Sequence, residues 1–197
     1  MAAGAGTRFG RPKQFEPLGS HRVVDWSLAI ARQVSDHVVL VVPSGHAAEE
    51  PFANAVVTGG ATRSASVRAG LAAAPGAADV ILVHDAARPL ASITLWRAVI
   101  ASLEAGNDAV IPVVPMRDTL RRRNGGPIER DDVVAVQTPQ GFRAALLRQA
   151  HDGAPEATDD ATLVESIGAK VVQIEGAVEN IKITSPLDIQ MITGLFS

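Results

Sequence analysis

The sequence contains no cysteine, which excludes a disulfide framework, thiolate metal sites and a cysteine nucleophile. Aromatic residues supply only 4% of its 197 positions, so a core must be assembled mainly from Ala, Val, Leu and Ile. No apolar run reaches the roughly 18 residues that a membrane-spanning helix needs. The opening Met1-Ala2-Ala3-Gly4 has neither the basic nor the apolar region of a signal peptide. Charge of one sign is also scarce. Net charge is −3, and the sole local basic cluster is Arg121-Arg122-Arg123, which argues against a nucleic-acid partner. With 47% apolar and 20% charged residues, the composition is that of a globular chain. No internal repeat or low-complexity linker divides it. The expectation is one cytoplasmic domain over 1–197.

Several functional signatures are missing too. No Gly-Lys is followed by Ser or Thr, so there is no P-loop. Gly10 comes one position too late after Gly6 for a dinucleotide fingerprint, and the next apolar run ends in Val42-Pro43 rather than in a ribose-holding acid. That disfavours a nicotinamide enzyme. No Gly-x-Ser-x-Gly elbow occurs, and the histidines at 21, 37, 46, 84 and 151 lack metal-ligand spacing. His84 reads as a structural strand-end histidine rather than a base.

What is present is an alternation of short β-branched runs with Ala/Leu-rich stretches. Strands are predicted at 37–42, 55–57, 80–83, 109–114 and 171–174, and helices at 24–34, 62–74, 93–105, 143–151 and 160–166. A last helix is marked by Ser185 as cap, Pro186 at its first position and Asp188 at its third. The pattern implies an α/β sandwich, a mostly parallel twisted sheet with helices on both faces. Ligands of such sheets gather at the carboxyl ends of the strands. Asp85 with Arg88, and Arg117 with Asp118, follow two of those ends. The polar stretch 120–132, with Asn124-Gly125 at its centre, reads as a β-hairpin arm. The arm region, 115–137, has too little apolar surface for a core of its own, so a second subunit is its expected support.

Closely spaced glycines in Gly4-Ala5-Gly6-Thr7-Arg8-Phe9-Gly10 let backbone N–H groups approach phosphate oxygens, and Arg8 and Lys13 add fixed positive charge. Together they suit a triphosphate whose α-phosphorus gains charge in the transition state. Gly59-Gly60-Ala61-Thr62-Arg63-Ser64-Ala65-Ser66 leads into a helix. It is either a strand-to-helix turn capped by Thr62 or Ser64, or a loop whose backbone and Ser66 read a pyrimidine edge. Asp85 could hold substrate hydroxyls or a metal ion and Arg88 a phosphate, unless the two form a surface ion pair of little worth. Arg117-Asp118-Thr119 and Glu129-Arg130 flank the arm and could be solvated hairpin charges. Thr158-Asp159-Asp160 could be a simple helix cap. Lys182, in the predicted short strand 180–184, is either functional or an edge gatekeeper.

In chain order, Ala3-Gly4-Ala5-Gly6-Thr7-Arg8, Pro12-Lys13-Gln14, Gly59-Gly60 with Arg63 and Ser66-Val67, and His84-Asp85-Ala86-Ala87-Arg88-Pro89 are followed by Arg117-Asp118-Thr119, Thr138-Pro139-Gln140, Thr158-Asp159 and Asn180-Ile181-Lys182-Ile183-Thr184. This ordered set resembles the 2-C-methyl-D-erythritol 4-phosphate cytidylyltransferases of the non-mevalonate isoprenoid pathway. The resemblance implies a Rossmann-like nucleotidyltransferase fold and transfer of cytidylate from CTP, with release of pyrophosphate. It gives Arg8, Lys13 and Lys182 to catalysis. Ala2, Ala3, Gly4, Ala5, Gly6, Thr7, Gly60, Ala61, Ser66 and Asp85 would hold the nucleotide. Asp85, Arg88, Thr158 and Lys182 would grip the sugar phosphate, and Thr119 and Arg130 would reach it from the arm of a neighbouring subunit. It also implies a homodimer and a divalent cation, Mg²⁺, bridging the CTP phosphates, with Asp85 as the candidate protein ligand.

Two features depart from the family pattern. Ala61 stands where some relatives have Asp, so one nucleotide contact would either be missing or fall to the backbone. Relatives also have an apolar strand ahead of the glycine loop, at the centre of the sheet, where only Met1-Ala2-Ala3 stand here. The expectation is a start further upstream, the alternative being a sheet whose neighbouring strands close up. Each lost buried side chain would cost about 1.5–3 kcal/mol, which over a strand rivals the stability of a typical domain. The rival readings are a ribitol-5-phosphate cytidylyltransferase, disfavoured by Ala87 and by Ala3-Gly4, and an inert nucleotide-binding remnant.

Overall fold

The computed structural model describes residues 1–4, 6, 9–46 and 50–196. In chain order the elements are β1 (Pro17–Leu18), β2 (His21–Arg22), α1 (Val23–Val34), β3 (Val39–Val42), β4 (Ala55–Thr58), α2 (Arg63–Ala73), β5 (Val80–Val83), α3 (Ile93–Glu104) and β6 (Ala109–Pro115). The arm follows as β7 (Leu120–Arg121), β8 (Pro127–Ile128) and β9 (Val134–Val136). The chain then forms β10 (Gln140–Arg143), α4 (Ala144–Ala150), α5 (Asp160–Ser166), β11 (Val171–Glu175) and α6 (Pro186–Thr193).

Period-two burial sorts the strands between two helical layers. Val80 and Leu82 pack with Val99 and Leu103 of α3, while Ile81 and Val83 pack with α2, α4 and α5 through Val67, Leu147 and Val164. The main sheet runs β11-β6-β10-β5, with β9 added to β6. β11 lies parallel to β6, whereas β10 is antiparallel to both β6 and β5. Gly141 of β10 is required there, because a Cβ would meet Val99 Cγ1 at 2.5 Å and Leu103 Cδ1 at 2.8 Å. β3 and β4 form a separate parallel pair.

The helices and strands predicted from the sequence are present, with ends that shift by a residue or two. The capping box of α6 is also as expected, Asp188 accepting from the Ser185 amide at 2.8 Å. Gln140–Arg143 was not expected to be a strand. The 180–184 segment is corrected from strand to irregular strap. Among the described residues its backbone makes one long-range bond to other backbone, Ile183 N to Ala87 O at 2.8 Å, beside a local turn at Ile181.

The two sheets meet through the first residues. The Met1 ammonium donates to His84 O (2.6 Å), Ala86 N donates to Met1 O (3.0 Å), and Ala2 N donates to Val41 O (2.7 Å). This is the hydrogen-bond pattern of a parallel ladder, with Met1 opposite Asp85. Beyond it β3 and β5 have not closed up. A slot of about 590 Å³ separates them, lined by Val39–Val41 and Val80–Val83 and by residues of α1, α2 and α3.

Burial of the Met1 ammonium lowers its pKa from 8.0 to about 6, with Asp85 opposing the shift, Arg63 adding to it and Asp160 opposing it. The unfolded chain therefore holds more protons than the folded one between those values, and stability must rise with pH across that window. The rise should be on the order of 2 kcal/mol. His84, held neutral down to about pH 3, contributes its own rise only below its ordinary 6.5. Denaturant midpoints measured from pH 6 to 8 should increase more steeply for the free-amine protein than after Nα-acetylation, which leaves only the His84 part near pH 6. Identical slopes for the two would rule this out.

Candidate active site

The end of β5 leads directly into His84-Asp85. The His84 ring is buried against Trp96, with centroids 4.8 Å apart. Its Nε2 lies 3.3 Å from Arg88 O, which can only accept, so Nε2 carries the proton. Nδ1 lies 3.0 Å from Thr138 Oγ1 and accepts a hydrogen bond from that hydroxyl. Burial holds the ring neutral, and no orientation is left for base chemistry. The Thr138 hydroxyl in turn accepts from Asp85 N at 3.1 Å and fixes the start of the Asp85 turn.

Asp85 meets Lys182 at 2.6 Å. Burial works against ionisation of this carboxyl. The Lys182 ammonium outweighs it and, with Arg63 and the Met1 ammonium, holds Asp85 well below the usual carboxylate range. The partner of Asp85 is thus Lys182 and not Arg88. Arg88 is folded into the fabric instead, donating to Asn180 O at 2.7 Å and to Val136 O at 3.2 Å. The strap carrying Lys182 is clamped by buried amides. Asn180 donates to Gln137 Oε1 and Thr138 O, and Gln137 exchanges two bonds with the Ala177 backbone.

The glycine loop starts beside this pair, since Met1 and Ala2 are laddered to the His84–Ala86 segment. Gly6 has φ +67°, and a Cβ there would overlap the Arg11 carbonyl. Buried Gln14 ties the loop down by donating to Ala2 O (2.6 Å) and Gly4 O (3.2 Å). Lys13 opens the short helical turn Lys13–Phe15 and is half-buried. Ala5, Thr7 and Arg8 lie outside the described residues. Ala3 abuts Gly59, where a Cβ would overlap the Ala3 methyl. Thr62 caps α2 by accepting from Ala65 N (3.0 Å). Ser66 is buried and donates to Thr62 O (2.8 Å) and Gly60 O (3.2 Å), which leaves Gly60 and Ala61 exposed at the rim.

One cluster was not visible in the sequence. Arg63 donates to Asp160 at 2.8 Å, and fully buried Asp160 also meets His151 Nε2 at 3.0 Å. Asp159 caps α5 and accepts from Gln140 at 3.3 Å. These contacts join the Gly59–Gly60 turn, Thr138-Pro139-Gln140 and the loop bearing exposed Thr158. The signal in hindsight is Arg63 in the first turn of a helix, where a positive charge opposes the dipole and calls for an acidic partner. Thr119 and Arg130 are not part of this assembly. Both are exposed on the arm, where Arg130 approaches Arg117 O (3.5 Å) and Asp131 (3.9 Å).

A cationic, glycine-lined rim around a largely buried carboxylate suits phosphate chemistry by positioning. The family described as "IspD: 2-C-methyl-D-erythritol 4-phosphate cytidylyltransferase" matches residues 1–195. The chain belongs to this cytidylyltransferase family. It is 44% identical over 210 aligned residues to a 2-C-methyl-D-erythritol 4-phosphate cytidylyltransferase of Rhodococcus jostii (strain RHA1), covering 98% of this chain and 92% of that one. A "Bifunctional enzyme IspD/IspF" of Clavibacter michiganensis is 40% identical, with 96% of this chain matching 52% of its length. The crystal structure of the cytidylyltransferase from Thermus thermophilus superposes with a TM-score of 0.85 at 39% identity, over 99% of this chain and 95% of that one. The neighbours are thus nucleotidyltransferases with the α/β sandwich expected from the sequence.

Breaking a buried ion pair from one side leaves the other charge stranded, at about 3–5 kcal/mol. Arg63→Ala should lower the unfolding free energy by that order, because Asp160 has no access to solvent. Adding Asp160→Asn to that variant should recover part of the loss in urea titrations. A double variant no more stable than Arg63→Ala alone would count against the stranded-charge explanation.

Proposed function

We propose that this chain transfers the cytidylyl group of CTP to 2-C-methyl-D-erythritol 4-phosphate, giving 4-diphosphocytidyl-2-C-methyl-D-erythritol and pyrophosphate. The observation that carries the reading is the Asp85–Lys182 pair at the end of β5, directly beside the glycine loop. An oxygen of the phosphomonoester attacks the α-phosphorus of CTP. The bond from that phosphorus to the oxygen bridging towards the β-phosphorus breaks, and its electron pair leaves with pyrophosphate. A phosphomonoester dianion is already a nucleophile at neutral pH, so no proton need be removed. His84, neutral and fully hydrogen-bonded, is consistent with that.

In this reading Arg8 and Lys13 neutralise the charge that builds on the triphosphate. Ala2, Ala3, Gly4, Ala5, Gly6 and Thr7 line the nucleotide, with Gly60, Ala61 and the backbone that Ser66 shapes towards the base. Lys182 stands between the two phosphates. Asp85 serves it as counter-ion and faces substrate hydroxyls, and Arg88 and Thr158 complete the sugar-phosphate side. Mg²⁺ belongs to the proposal as the ion that screens the triphosphate oxygens. Among the described residues no cluster of three or more His, Asp or Glu could hold a metal, so the nucleotide would supply most ligands and Asp85 at most one. Cytoplasmic CTP as the donor fits a cytoplasmic enzyme, and no described helix is long and apolar enough to cross a membrane.

The arm, 115–137, completes the proposal. Its hairpin has no core, and Val134 and Val136 of β9 are left 39% and 36% exposed. A second copy covering this strand would give a homodimer and bring Thr119 and Arg130 to the neighbour's sugar phosphate.

Pyrophosphate release from CTP should be seen with 2-C-methyl-D-erythritol 4-phosphate and be far weaker with ribitol 5-phosphate. Lys13→Ala, Arg8→Ala and Lys182→Ala should each lower kcat by about 10²–10³ while KM changes little. Losses confined to KM would remove these residues from transition-state roles. Val134→Asp with Val136→Asp should give a folded monomer by light scattering with little turnover. A fully active monomer would dismiss the shared site.

A further inference from the structure

The first two turns of α2 support two parts of the site at once. On one flank Gly59 and Gly60 rest directly on the helix. A Cβ on Gly60 would meet Ala65 Cβ at 2.5 Å, and one on Gly59 would meet Ser66 Oγ at 2.8 Å. On the other flank three side chains of the same turns hold the stretch 155–160. Arg63 donates to Asp160 at 2.8 Å. Buried Ser64 accepts from Ala157 N (3.1 Å) and donates to Ala157 O (3.3 Å). Arg68 donates to Pro155 O and to Glu156, both at 2.8 Å. Residues 154–159 belong to no helix or strand, so α2 side chains do for this loop what a ladder does for a strand.

Stability alone is a weak reason for the ion pair at the centre. Arg63 opens α2, where the helix dipole opposes a cation, and replacing a buried ion pair by apolar side chains is often neutral or stabilising. What the pair supplies is direction. Asp160 is fully buried, with Arg63 on one oxygen and His151 Nε2 on the other, so its carboxylate cannot turn.

We propose that Arg63 and Asp160, backed by His151 and assisted by Ser64 and Arg68, are positioning residues that set the sugar-phosphate grip of Thr158 at a fixed distance from the nucleotide rim at Gly60. The inference rests on the cytidylyl-transfer reading, which puts the nucleotide at Gly60 and the sugar phosphate at Thr158. None of the five touches substrate in this role. The two flanks respond differently to loss of the pair. Gly59 extends the β3–β4 ladder by donating to Val42 O at 2.8 Å, so the nucleotide rim keeps its place. The loop bearing Thr158 has only its side-chain ties to lose. A reacting group displaced by roughly an ångström costs about 10² in rate.

The test compares the parent chain with Arg68→Ala and with Arg63→Gln combined with Asp160→Asn. The double variant strands no charge, since the His151 ring can either donate to the new amide or accept from it. Arg68→Ala removes only the outermost, partly exposed contacts, at little cost in stability. Turnover is read as pyrophosphate release, and CTP affinity by equilibrium binding without the sugar phosphate. In the double variant KM for 2-C-methyl-D-erythritol 4-phosphate should rise about tenfold and kcat fall about 10²-fold, with CTP affinity unchanged. Arg68→Ala should move the same two constants in the same direction by a smaller factor. Hydrogen exchange at the Ala157 amide should quicken in both, while amides of β5 and β6 stay protected. A merely structural pair would lower the folded fraction and leave both constants unchanged per folded molecule. That result, an equal loss of CTP affinity, or unaltered exchange at Ala157 would each overturn the positioning role while leaving the activity standing. A parent chain that releases no pyrophosphate would instead sink the activity reading, and the positioning role with it.

Discussion

Two residues hold this molecule's architecture in register. Among the described residues, the backbone hydrogen bonds of Met1 and Ala2 connect the β3–β4 pair to the β5 edge of the main sheet. Those bonds also determine where the glycine loop begins, and through Ala86 they fix the turn that presents Asp85. Ala3 then rests on Gly59, so the rim that faces a nucleotide base inherits its position from the same short ladder. A parallel ladder of this length contributes little by itself. Its effect comes from the groups it aligns, which lie on four separate stretches of chain.

The electrostatics of the rim follow from that alignment. Asp85 is the carboxylate on which Lys182, the Met1 ammonium and Arg63 act together. An acid in such company is an anion at any physiological pH, and its most direct effect is to hold Lys182 in place. Arg88 behaves differently. It is spent on backbone carbonyls of the strap and of β9, so it reports the position of both to the site. Substrate-facing charge and structural charge are divided between residues only three positions apart.

Much of the fold was legible because its elements obey local rules. The Val-rich runs of β3 and β5, the Ala/Leu helices α1 to α5 and the Ser185–Asp188 cap all announce themselves within a few residues. β10 did not, because Pro139 and Gly141 argue against a strand and only the close approach of α3 explains the glycine. The strap at 180–184 misled in the opposite sense. Its Ile-Lys-Ile-Thr alternation reads as a strand, but Asn180 is satisfied by Gln137 and Thr138 side by side, and no neighbouring strand is needed. Of the candidate site, the glycine loop, Asp85 and Lys182 were readable as residues of the right kind. That Asp85 and Lys182 touch across 97 positions, and that Arg63 finds Asp160 at the same remove, are facts of topology that no local pattern carries.

The arm has a consequence of its own. Its two ends are β6, whose Ala109–Pro112 portion is buried, and β10, wedged antiparallel between β6 and β5. Both roots are thus embedded in the firmest part of the body, while the tip around Arg122–Gly126 is closed by local bonds. Such a projection is rigid at its origin and permissive at its extremity. Hairpin tips of differing length could be grafted there without disturbing the sheet, and any push on β9 would pass both to β6, its ladder partner, and to Arg88, through the Val136 carbonyl.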